Sequence, residues 1–510
     1  MGKRVDAWVE ETIASFPESV AIQDAERTVT YAELGAVADR VRERIAAGGI
    51  RAGSLVAIRM RRGWRMYAAM LGIWKHGCGY VPIDPAYPEE RQEYILRDAG
   101  VRLLVEDGDG DDAYGDAFLL RECAPPDAAG VEVPPGTAYV IHTSGSTGRP
   151  KGVVLGHPSV RAFLEGFVDR FGFGPEEVWA QFTSPCFDVS VAESWTPLVT
   201  GARLLVVPEE ATVDPRRLVR LLAEGRATVL SHVPTVFRYL LRATERAGVT
   251  FPAVRHVLLA GEPVEPRTVS RWIERDITPG AEFHNLYGPT EGTVYATCQH
   301  LTPEVLSPTG RPGTAIGTAM PHVRVELLRD GRPVPRGVPG EICLGGAVAL
   351  GYLGRPEQTA AAFVRRPGEP VRYRTGDLAV QDEDGTLRFL GRDDEQVKLR
   401  GNRIELGEIE ARLNACAGVG EAAAVVLPSR QGDPMIVGCF VPSEPDTAPT
   451  APRLRAELAA FLPSYMVPAR IVEVDRMPLT LSGKLDRRSL EKAVRSHRTG
   501  IVRMSDGGAA

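Results

Sequence analysis

An apolar segment that runs directly into hydroxyl and glycine residues constrains this chain more than any other stretch. Residues 139–153 read Tyr-Val-Ile-His-Thr-Ser-Gly-Ser-Thr-Gly-Arg-Pro-Lys-Gly-Val. The apolar start predicts a buried strand, and the glycines that follow free the backbone to wrap around an anion. The pattern predicts a polyphosphate-binding loop that differs from the common P-loop, because Gly148 is followed by arginine rather than lysine. The candidate phosphate-binding residues are Thr143, Ser144, Gly145, Ser146, Thr147, Gly148 and Lys151.

The length and composition are those of a globular protein with more than one domain. The chain has 510 residues, of which 44% are hydrophobic and 25% charged, and one hydrophobic core usually stops growing below this length. The net charge of -6 disfavours a nucleic-acid partner bound through a broad basic face. No segment has the length and hydrophobicity of a membrane span. We therefore expect neither nucleic acid nor membrane as a partner.

The cysteine pattern and the N-terminus indicate the compartment. The seven cysteines are scattered, without a Cys-x-x-Cys pair, which is typical of reduced and buried thiols. The N-terminal residues carry charge without a following apolar run, unlike a secretory signal. The sequence therefore predicts a cytoplasmic protein.

Apolar runs bounded by glycine or proline alternate with helix-like segments. The run at 201–208, for example, precedes a helix-like segment at 215–223. This alternation predicts an α/β fold with largely parallel sheets.

A charge-dense, glycine-flanked stretch at 391–404 is the best candidate for a domain boundary. The chain after it has the size of a small α+β domain, and its residues 405–413 have helical spacing, with Leu406, Ile409 and Leu413 on one side. We therefore predict an organisation in four parts. These are an N-terminal core domain at 1–393, a hinge at Asp394, a C-terminal lid domain at 395–495 and a disordered tail at 496–510.

Seven further motifs occur along the chain, two of them before the polyphosphate loop and five after it. Two of them read Phe-Asp-Val-Ser at 187–190 and Asn-Leu-Tyr-Gly-Pro-Thr-Glu at 285–291; the others lie at 29–34, 77–84, 373–378, 462–468 and 481–487. Together with the loop at 143–152, these motifs resemble the amino-acid adenylation domains of non-ribosomal peptide synthetases, within the adenylate-forming enzyme superfamily. The resemblance covers nearly the whole chain, from about Trp8 to Arg487.

The resemblance implies a fold and a reaction. The fold is a large N-terminal domain of β-sheets packed with helices, followed by a small mobile α+β domain, with the active site between them. In the reaction, a carboxylate and Mg-ATP first give an acyl adenylate and pyrophosphate. A phosphopantetheine thiol then takes the acyl group. The expected cofactors are therefore ATP and Mg²⁺.

The first half-reaction brings two anions together, so its site must supply positive charge. The resemblance assigns this role to Lys484, which would bridge the attacking carboxylate and the α-phosphate. Thr290 would bond the α-phosphate. Glu291 would bind Mg²⁺, which prefers one or two carboxylates together with phosphate oxygens and waters.

The same resemblance implies a nucleoside site and a moving joint. Asn285, Tyr287, Asp377 and Arg392 would form the adenine and ribose site. Tyr287 would lie against the adenine, and Asp377 would accept both ribose hydroxyls, because one carboxylate can take two donors. The C-terminal domain would rotate at Asp394 and bring the loop that contains Lys398 and Gly401 to the thiol tunnel.

Asp188 separates amino-acid activation from the activation of other carboxylic acids. The resemblance implies that it pairs with the substrate α-ammonium group, and removing one partner of a buried ion pair costs about 3–5 kcal/mol. The remaining pocket positions would be Val189, Ala192, Ser231, Leu258, Ala260, Leu286, Val294 and Tyr295, with Lys484 at the far end.

The lining of this pocket predicts the class of side chain. Apart from its two ends the lining is apolar, which predicts a neutral, mainly hydrophobic amino acid. Val189, Ala192 and Ser231 are small and favour an aromatic side chain such as tryptophan or phenylalanine. Leu286 and Tyr295 narrow the upper part and leave proline or a mid-sized aliphatic side chain open.

The sequence also bears on partners. The stretch after Arg487 is too short for a carrier domain, and no Gly-Gly-x-Ser-Leu attachment site occurs. We therefore expect a stand-alone or excised adenylation domain that loads a peptidyl carrier protein in trans. An MbtH-like helper protein is a further candidate partner.

Two other interpretations stay open. A D-alanine to carrier protein ligase is also free-standing and also has an aspartate in its pocket, although Ala192 and Ser231 leave more room than a methyl group needs. A catalytically silent nucleotide-binding module is the second, and the presence of Lys484, Glu291 and Asp377 disfavours it.

Overall fold

The computed structural model describes residues 4–108, 118–123, 131–145, 148–307, 310–365, 368, 370–392, 396–429, 432–444, 448–479, 485–496 and 502. The chain divides into two units. Unit 1 comprises Met1–Pro85, Leu96–His142 and Gly152–Asp393. Unit 2 comprises Ala86–Ile95, Thr143–Lys151 and Asp394–Ala510, so it includes two segments from the earlier part of the chain. Asp394 itself lies outside the described residues, as does the predicted tail apart from Ser496 and Val502, and both assignments stay predictions.

Helices and strands alternate along most of the chain. Up to residue 156 the elements are α1 (Val5–Ser15), β1 (Val20–Gln23), β2 (Thr28–Thr30), α2 (Tyr31–Ala47), β3 (Leu55–Arg59), α3 (Trp64–Lys75), β4 (Gly79–Pro82), α4 (Glu89–Asp98), β5 (Leu103–Asp107), β6 (Phe118–Glu122), β7 (Thr137–Thr143) and β8 (Lys151–Gly156).

The middle of the chain continues the alternation and then turns to strands. Its elements are α5 (His157–Phe171), β9 (Val178–Gln181), α6 (Val189–Thr200), β10 (Arg203–Val206), α7 (Glu209–Val213), α8 (Pro215–Glu224), β11 (Val229–His232), α9 (Pro234–Ala247), β12 (His256–Ala260), α10 (Pro266–Glu274), β13 (Glu282–Tyr287), β14 (Thr297–His300), α11 (Pro303–Leu306), β15 (Thr314–Ala319), β16 (Val323–Arg329), β17 (Arg332–Pro333), β18 (Gly340–Gly346), β19 (Gly351–Tyr352), α12 (Pro356–Ala362), β20 (Phe363–Val364), β21 (Arg372–Gln381) and β22 (Leu387–Arg392).

The last elements belong to unit 2. They are β23 (Gln396–Leu399), β24 (Asn402–Glu405), α13 (Leu406–Asn414), β25 (Val419–Pro428), β26 (Pro434–Pro442), α14 (Ala451–Ala459), β27 (Arg470–Glu473) and α15 (Arg487–Ser496). β23 pairs with β24, and β25, β26 and β27 form a second small sheet. Leu406, Ile409 and Leu413 are buried on one face of α13, as the helical spacing predicted.

Unit 1 is built on two large sheets. Among the described residues, the larger has 15 strands in the order β17-β16-β18-β21-β22-β15-β14-β13-β12-β11-β9-β10-β1-β2, with β20 beside β21. The other has the order β19-β8-β7-β4-β3-β5-β6. The predicted α/β fold is therefore confirmed.

The sheets are mixed rather than largely parallel. The strands β10, β9, β11, β12 and β13 lie side by side in this order and pair in parallel. Helices connect these strands along the chain. From β13 to β22 the pairing is antiparallel. Antiparallel neighbours, unlike parallel ones, do not need a crossover connection, and β13 and β14 follow each other along the chain without a helix of four or more residues between them.

Local sequence signals explain where several elements begin. α2 starts with a capping box, in which the Thr30 side chain accepts the Glu33 amide at 3.2 Å and a Glu33 oxygen accepts the Thr30 amide at 2.8 Å. Such reciprocal bonds satisfy amides that the first helical turn leaves unpaired. The predicted strand before the polyphosphate loop is β7, and the predicted pair at 201–223 corresponds to β10 and α8.

Aromatic side chains fill the centre of unit 1. The ring centroids of Trp74 and Trp195 are 4.1 Å apart, and the Trp195 indole donates to the Tyr80 hydroxyl at 3.3 Å. This contact joins α3, β4 and α6.

None of the helices within the described residues is both long enough and apolar enough to cross a membrane.

A tight approach of backbone to backbone at Gly317 gives a test of the larger sheet. Gly317 has φ of +77°, and a Cβ there would lie 1.9 Å from the Cys298 carbonyl oxygen. We expect Gly317→Ala to lower stability by clearly more than the cost of about 1 kcal/mol that the left-handed conformation alone imposes. Thermal unfolding followed by circular dichroism measures the loss.

Gly248→Ala is the matched control. Gly248 has φ of +63°, but no atom lies within 4 Å of the position of its Cβ, so only the conformational cost applies. Equal shifts of the two melting temperatures would contradict the close approach at Gly317.

Candidate active site

Asp377 accepts hydrogen bonds on both of its carboxylate oxygens. The Tyr287 hydroxyl donates to Oδ2 and the Arg392 Nη1 donates to Oδ1, each at 2.5 Å. β21 and β22 pair in a register that sets Asp377 opposite Arg392. Burial, and then the nearby Asp377 carboxylate, raise the pKa of Tyr287 well above its usual value. Tyr287 therefore stays a hydrogen-bond donor at neutral pH, and three of the four residues predicted for the nucleoside lie together.

Asn285 lies two residues before Tyr287 on β13. Its side-chain amide donates to the Ala315 carbonyl at 2.7 Å. The bond holds β13 to β15, so Asn285 is positioned by the sheet.

Glu291 is a fully buried acid in a short 3₁₀ turn, Thr290–Gly292, just beyond the end of β13. The Tyr352 hydroxyl donates to its Oε1 at 2.9 Å. Thr293 and Val294 follow with φ of +60° and +70°, a conformation that is rare for a β-branched residue. Such strain tends to occur at functional sites, and here it directly follows the turn that carries the predicted Mg²⁺ ligand.

The predicted amino-acid pocket lies where neighbouring parallel strands end. Ser231 pairs with Leu258, and Ala260 pairs with Leu286, across β11, β12 and β13. Crevices outside the carboxyl ends of parallel strands are the usual ligand sites of open α/β sheets. Seven of the predicted lining residues are buried: Ala192, Ser231, Leu258, Ala260, Leu286, Val294 and Tyr295.

Asp188 and Val189 stand at the start of α6 and are half-buried. Asp188 lies close enough to Tyr139 and Tyr295 to raise the pKa of both hydroxyls, after the larger effect of burial. The predicted anchor for the ammonium group therefore lies beside the predicted pocket.

Glu193 is an acid that the sequence analysis did not include. It is fully buried on α6. One carboxylate oxygen accepts the amides of Phe182 and Thr183 at 2.9 and 2.8 Å, and the other accepts the Thr183 hydroxyl at 2.8 Å. The influence of Ser231 on its pKa and its charge interaction with Tyr295 place this carboxyl group near two predicted pocket residues. The sequence did contain a signal for this acid, because Glu193 is the only charged residue in the otherwise uncharged helix α6.

Burial raises the pKa of Glu193 from its ordinary 4.5 to about 7, although the hydrogen bonds from Thr183, Ser231 and Phe182 oppose the shift. The sequence predicted a pocket lined by apolar residues apart from its two ends. The structure adds Glu193, an acid that can gain or lose a proton, beside this predicted pocket.

The polyphosphate loop is described in part, and it belongs to unit 2. The Ser144 hydroxyl donates to the Arg403 carbonyl at 2.8 Å and accepts the Glu405 amide at 3.2 Å. A Cβ on Gly145 would lie 2.1 Å from the Arg149 carbonyl oxygen, so only glycine fits there. Ser144 is thus held by the strand β24 within unit 2.

The predicted site residues are distributed over both units. Unit 1 contains the nucleoside residues, Thr290, Glu291 and the amino-acid pocket. Unit 2 contains Thr143, Ser144, Gly145, Gly148, Lys151, Lys398 and Gly401. Ser146, Thr147, Asp394 and Lys484 lie outside the described residues. The roles of all these residues stay predictions.

The two large sheets and the small C-terminal unit are the fold of the adenylate-forming enzymes. An NRPS protein containing adenylation and PCP domains, solved in its holo form with a vinylsulfonamide inhibitor, matches 98% of this chain and 85% of its own, with a TM-score of 0.81 and 28% identity.

The chain belongs to the AMP-binding enzyme family. The AMP-binding enzyme family matches residues 9–353, and the AMP-binding enzyme C-terminal domain matches residues 408–484. Syringomycin synthase SyrB1 of Pseudomonas syringae pv. syringae is 37% identical over 490 residues, which cover 93% of this chain and 79% of the relative. Malpinin synthetase of Mortierella alpina is also 37% identical, over 500 residues.

Malpinin synthetase is much longer than this chain. The alignment covers 93% of the chain and only 6% of that synthetase. These similarities confirm the predicted resemblance to the adenylation domains of non-ribosomal peptide synthetases.

The raised pKa of Glu193 makes stability depend on pH in a defined direction. The folded state holds this proton more tightly than the unfolded state, so stability falls as pH rises from about 4.5 to about 7. One pKa unit corresponds to about 1.4 kcal/mol, so the change amounts to roughly 3 kcal/mol. We expect Glu193→Gln to flatten the decline in melting temperature over this window.

Glu274→Gln, at an exposed acid on α10, is the control and should leave the slope as it is in the parent protein. Parallel melting profiles for the parent and Glu193→Gln would contradict the raised pKa.

Proposed function

We propose that this chain activates an amino acid with Mg-ATP to the aminoacyl adenylate and then transfers the aminoacyl group to the phosphopantetheine thiol of a carrier protein. The observation that carries the proposal is the position of Asp188 at the start of α6, where it interacts with Tyr295, one of the buried residues proposed to line the amino-acid pocket. A half-buried carboxylate there favours a cationic partner, and the α-ammonium group of an amino acid supplies one.

The nucleoside residues support ATP as the second substrate. Tyr287 and Arg392 both donate to Asp377 and fix the orientation of its carboxylate. The ribose hydroxyls would donate to the same group, and Tyr287 would lie against the adenine.

Glu291 fits a magnesium ion by chemistry. Mg²⁺ prefers carboxylate oxygens from one or two residues, with phosphate oxygens and waters completing its coordination. Glu291 is buried and held by Tyr352, and Thr290 precedes it in the same turn. The ion would neutralise charge on the phosphates of ATP.

The proposed chemistry has two balanced steps. In the first, an oxygen of the amino-acid carboxylate bonds to the α-phosphorus, the bond to the β-phosphate oxygen breaks, and pyrophosphate leaves. Lys484 would stabilise the negative charge that gathers around phosphorus. In the second, the thiol gives its proton to the solvent and its sulfur bonds to the acyl carbon, while the bond from that carbon to the phosphate oxygen breaks and AMP leaves.

The proposed amino acid is neutral and mainly hydrophobic, with an aromatic side chain favoured and proline or an aliphatic side chain open. Buried residues Leu258, Leu286 and Val294 support an apolar pocket. Glu193 beside Ser231 adds an acceptor or donor, according to its protonation, that a polar atom on the side chain can use.

A carrier protein as partner is supported by the solved relative that contains adenylation and PCP domains. Loading of the carrier protein in trans and assistance by an MbtH-like protein belong to the same proposal. D-Alanine to carrier protein ligation remains the alternative substrate assignment, and a silent nucleotide-binding module remains the alternative class.

Amino-acid-dependent pyrophosphate exchange over the twenty amino acids and D-alanine tests the substrate. For the best substrate, Asp188→Ala should lower kcat/KM by about 10²- to 5 × 10³-fold, equivalent to the 3–5 kcal/mol of a broken ion pair. Asp169→Ala, at an exposed acid on α5, is the control. An equal loss in both variants would contradict the role of Asp188, and a response to D-alanine alone would favour the alternative ligase.

The substitution Lys484→Ala distinguishes a catalytically active enzyme from a module that binds nucleotide without turnover. We expect the substitution to abolish exchange while ATP binding, measured by calorimetry, is largely retained, because the lysine acts mainly in the transition state. Lys492→Ala, on α15, is the control. Equal exchange by the parent and Lys484→Ala would reject the assignment, and no exchange by the parent with any substrate would favour the silent module.

A further inference from the structure

Three side chains with metal-binding atoms meet at the amino ends of two neighbouring strands. His256 begins β12 and Glu282 begins β13, and the parallel register pairs these two residues. His284 lies two residues after Glu282, so both point to the same face of the sheet. One ligand atom from each of the three lies within 4.8 Å of the others.

We propose that His256, Glu282 and His284 bind a divalent first-row transition metal ion, with Zn²⁺ as the representative. Two imidazoles and one carboxylate are a ligand set that zinc accepts. Tetrahedral ligands about 2.0–2.1 Å from zinc lie roughly 3.3 Å from one another. Glu282 Oε2 is 3.3 Å from His284 Nε2 and 3.9 Å from His256 Nδ1.

A second observation points to a ligand at this place. The Nδ1 atom of His256 is buried, and it has no hydrogen-bond partner within the described part of the chain. A buried polar atom without a partner is costly, and most such atoms in proteins are paired. A metal ion between the three side chains would satisfy this nitrogen.

The surroundings hold both rings in place. The Phe171 ring makes edge-to-face contacts with His256 and His284, with centroids 5.8 and 4.8 Å away. The Cys298 sulfur lies 3.8 Å from His284 Nδ1. A partner on the second ring nitrogen is typical of histidines that bind metals, and this contact directs Nε2 of His284 toward Glu282.

The local charges also favour a cation. The carboxylates of Glu177 and Glu282 both interact electrostatically with His256 and so supply negative charge beside it. The adjacent Arg255 pairs with Glu177 and with Glu176, the latter at 3.2 Å. Its positive charge is therefore compensated.

His300 extends the cluster onto a third strand. It stands opposite His284 in the antiparallel pair of β13 and β14, and the two rings stack with centroids 5.0 Å apart. The ion would thus join β12 and β13, with a further imidazole beside it on β14.

This cluster lies apart from the proposed amino-acid pocket and nucleoside site. Strands rise about 3.3 Å per residue. His256 is four residues before the pocket residue Ala260, and Glu282 is five residues before the nucleoside residue Tyr287, so the proposed ion lies roughly 13–17 Å along the strands from these two residues. A ligand that binds only the folded chain raises its stability, so the ion would clamp the strands that end at the pocket.

The test uses the full chain without an affinity tag, treated with a chelator and free of nucleotide. We expect Zn²⁺, titrated against a chromophoric chelator, to bind in a ratio of one ion per chain and to raise the melting temperature. Co²⁺ should give visible d–d absorption. His256→Gln and Glu282→Gln should each weaken Zn²⁺ binding by at least about tenfold.

Glu282 is exposed and His256 is only partly buried, so neither substitution opens a cavity, and the melting temperature without metal checks the fold. His76→Gln and Glu274→Gln are matched controls away from the cluster and should bind Zn²⁺ as the parent does. The assignment is overturned by an absence of saturable binding in the parent, or by unchanged affinity in both His256→Gln and Glu282→Gln. Because no substrate is present, failure here leaves the proposed adenylation untouched.

Discussion

The parallel pairing of β11, β12 and β13 is the constraint on which the rest of unit 1 depends. Its register sets Ser231 beside Leu258 and Ala260 beside Leu286 at the carboxyl ends. The same register sets His256 beside Glu282 at the amino ends. A shift of the register by one residue would turn every side chain of a strand to the opposite face. It would therefore disrupt the proposed amino-acid pocket and the proposed metal site together.

Much of this arrangement was predictable from local sequence signals, and the rest required strand pairing. Turn residues and hydrophobic spacing predicted β7, α8 and α13, and the order of short motifs predicted the family. The cluster of His256 and Glu282 joins residues far apart in the chain, which meet only because β12 and β13 are neighbours. Nothing in either local segment specifies that neighbour, and the antiparallel strands from β14 onward were missed for the same reason.

Glu193 was missed for a different physical reason. Its role depends on how completely it is desolvated and on hydrogen bonds from Phe182 and Thr183. Both are properties of the packed structure. The sequence shows that an acid lies in an apolar helix, but it does not show whether that acid points to solvent or to the core. Burial rather than sequence therefore decides that this group titrates near neutral pH.

The carboxyl groups of Asp188, the N-cap residue of α6, and of Glu193, within α6, thus have different electrostatic environments. Asp188 stands half-buried at the start of α6, where the helix dipole favours a negative charge. Glu193 is fully buried a little more than one turn later, where desolvation favours the protonated form. Paired acids whose environments differ in this way divide their roles. We infer that Asp188 is the acid suited to hold the substrate ammonium group, whereas the charge of Glu193 changes with pH.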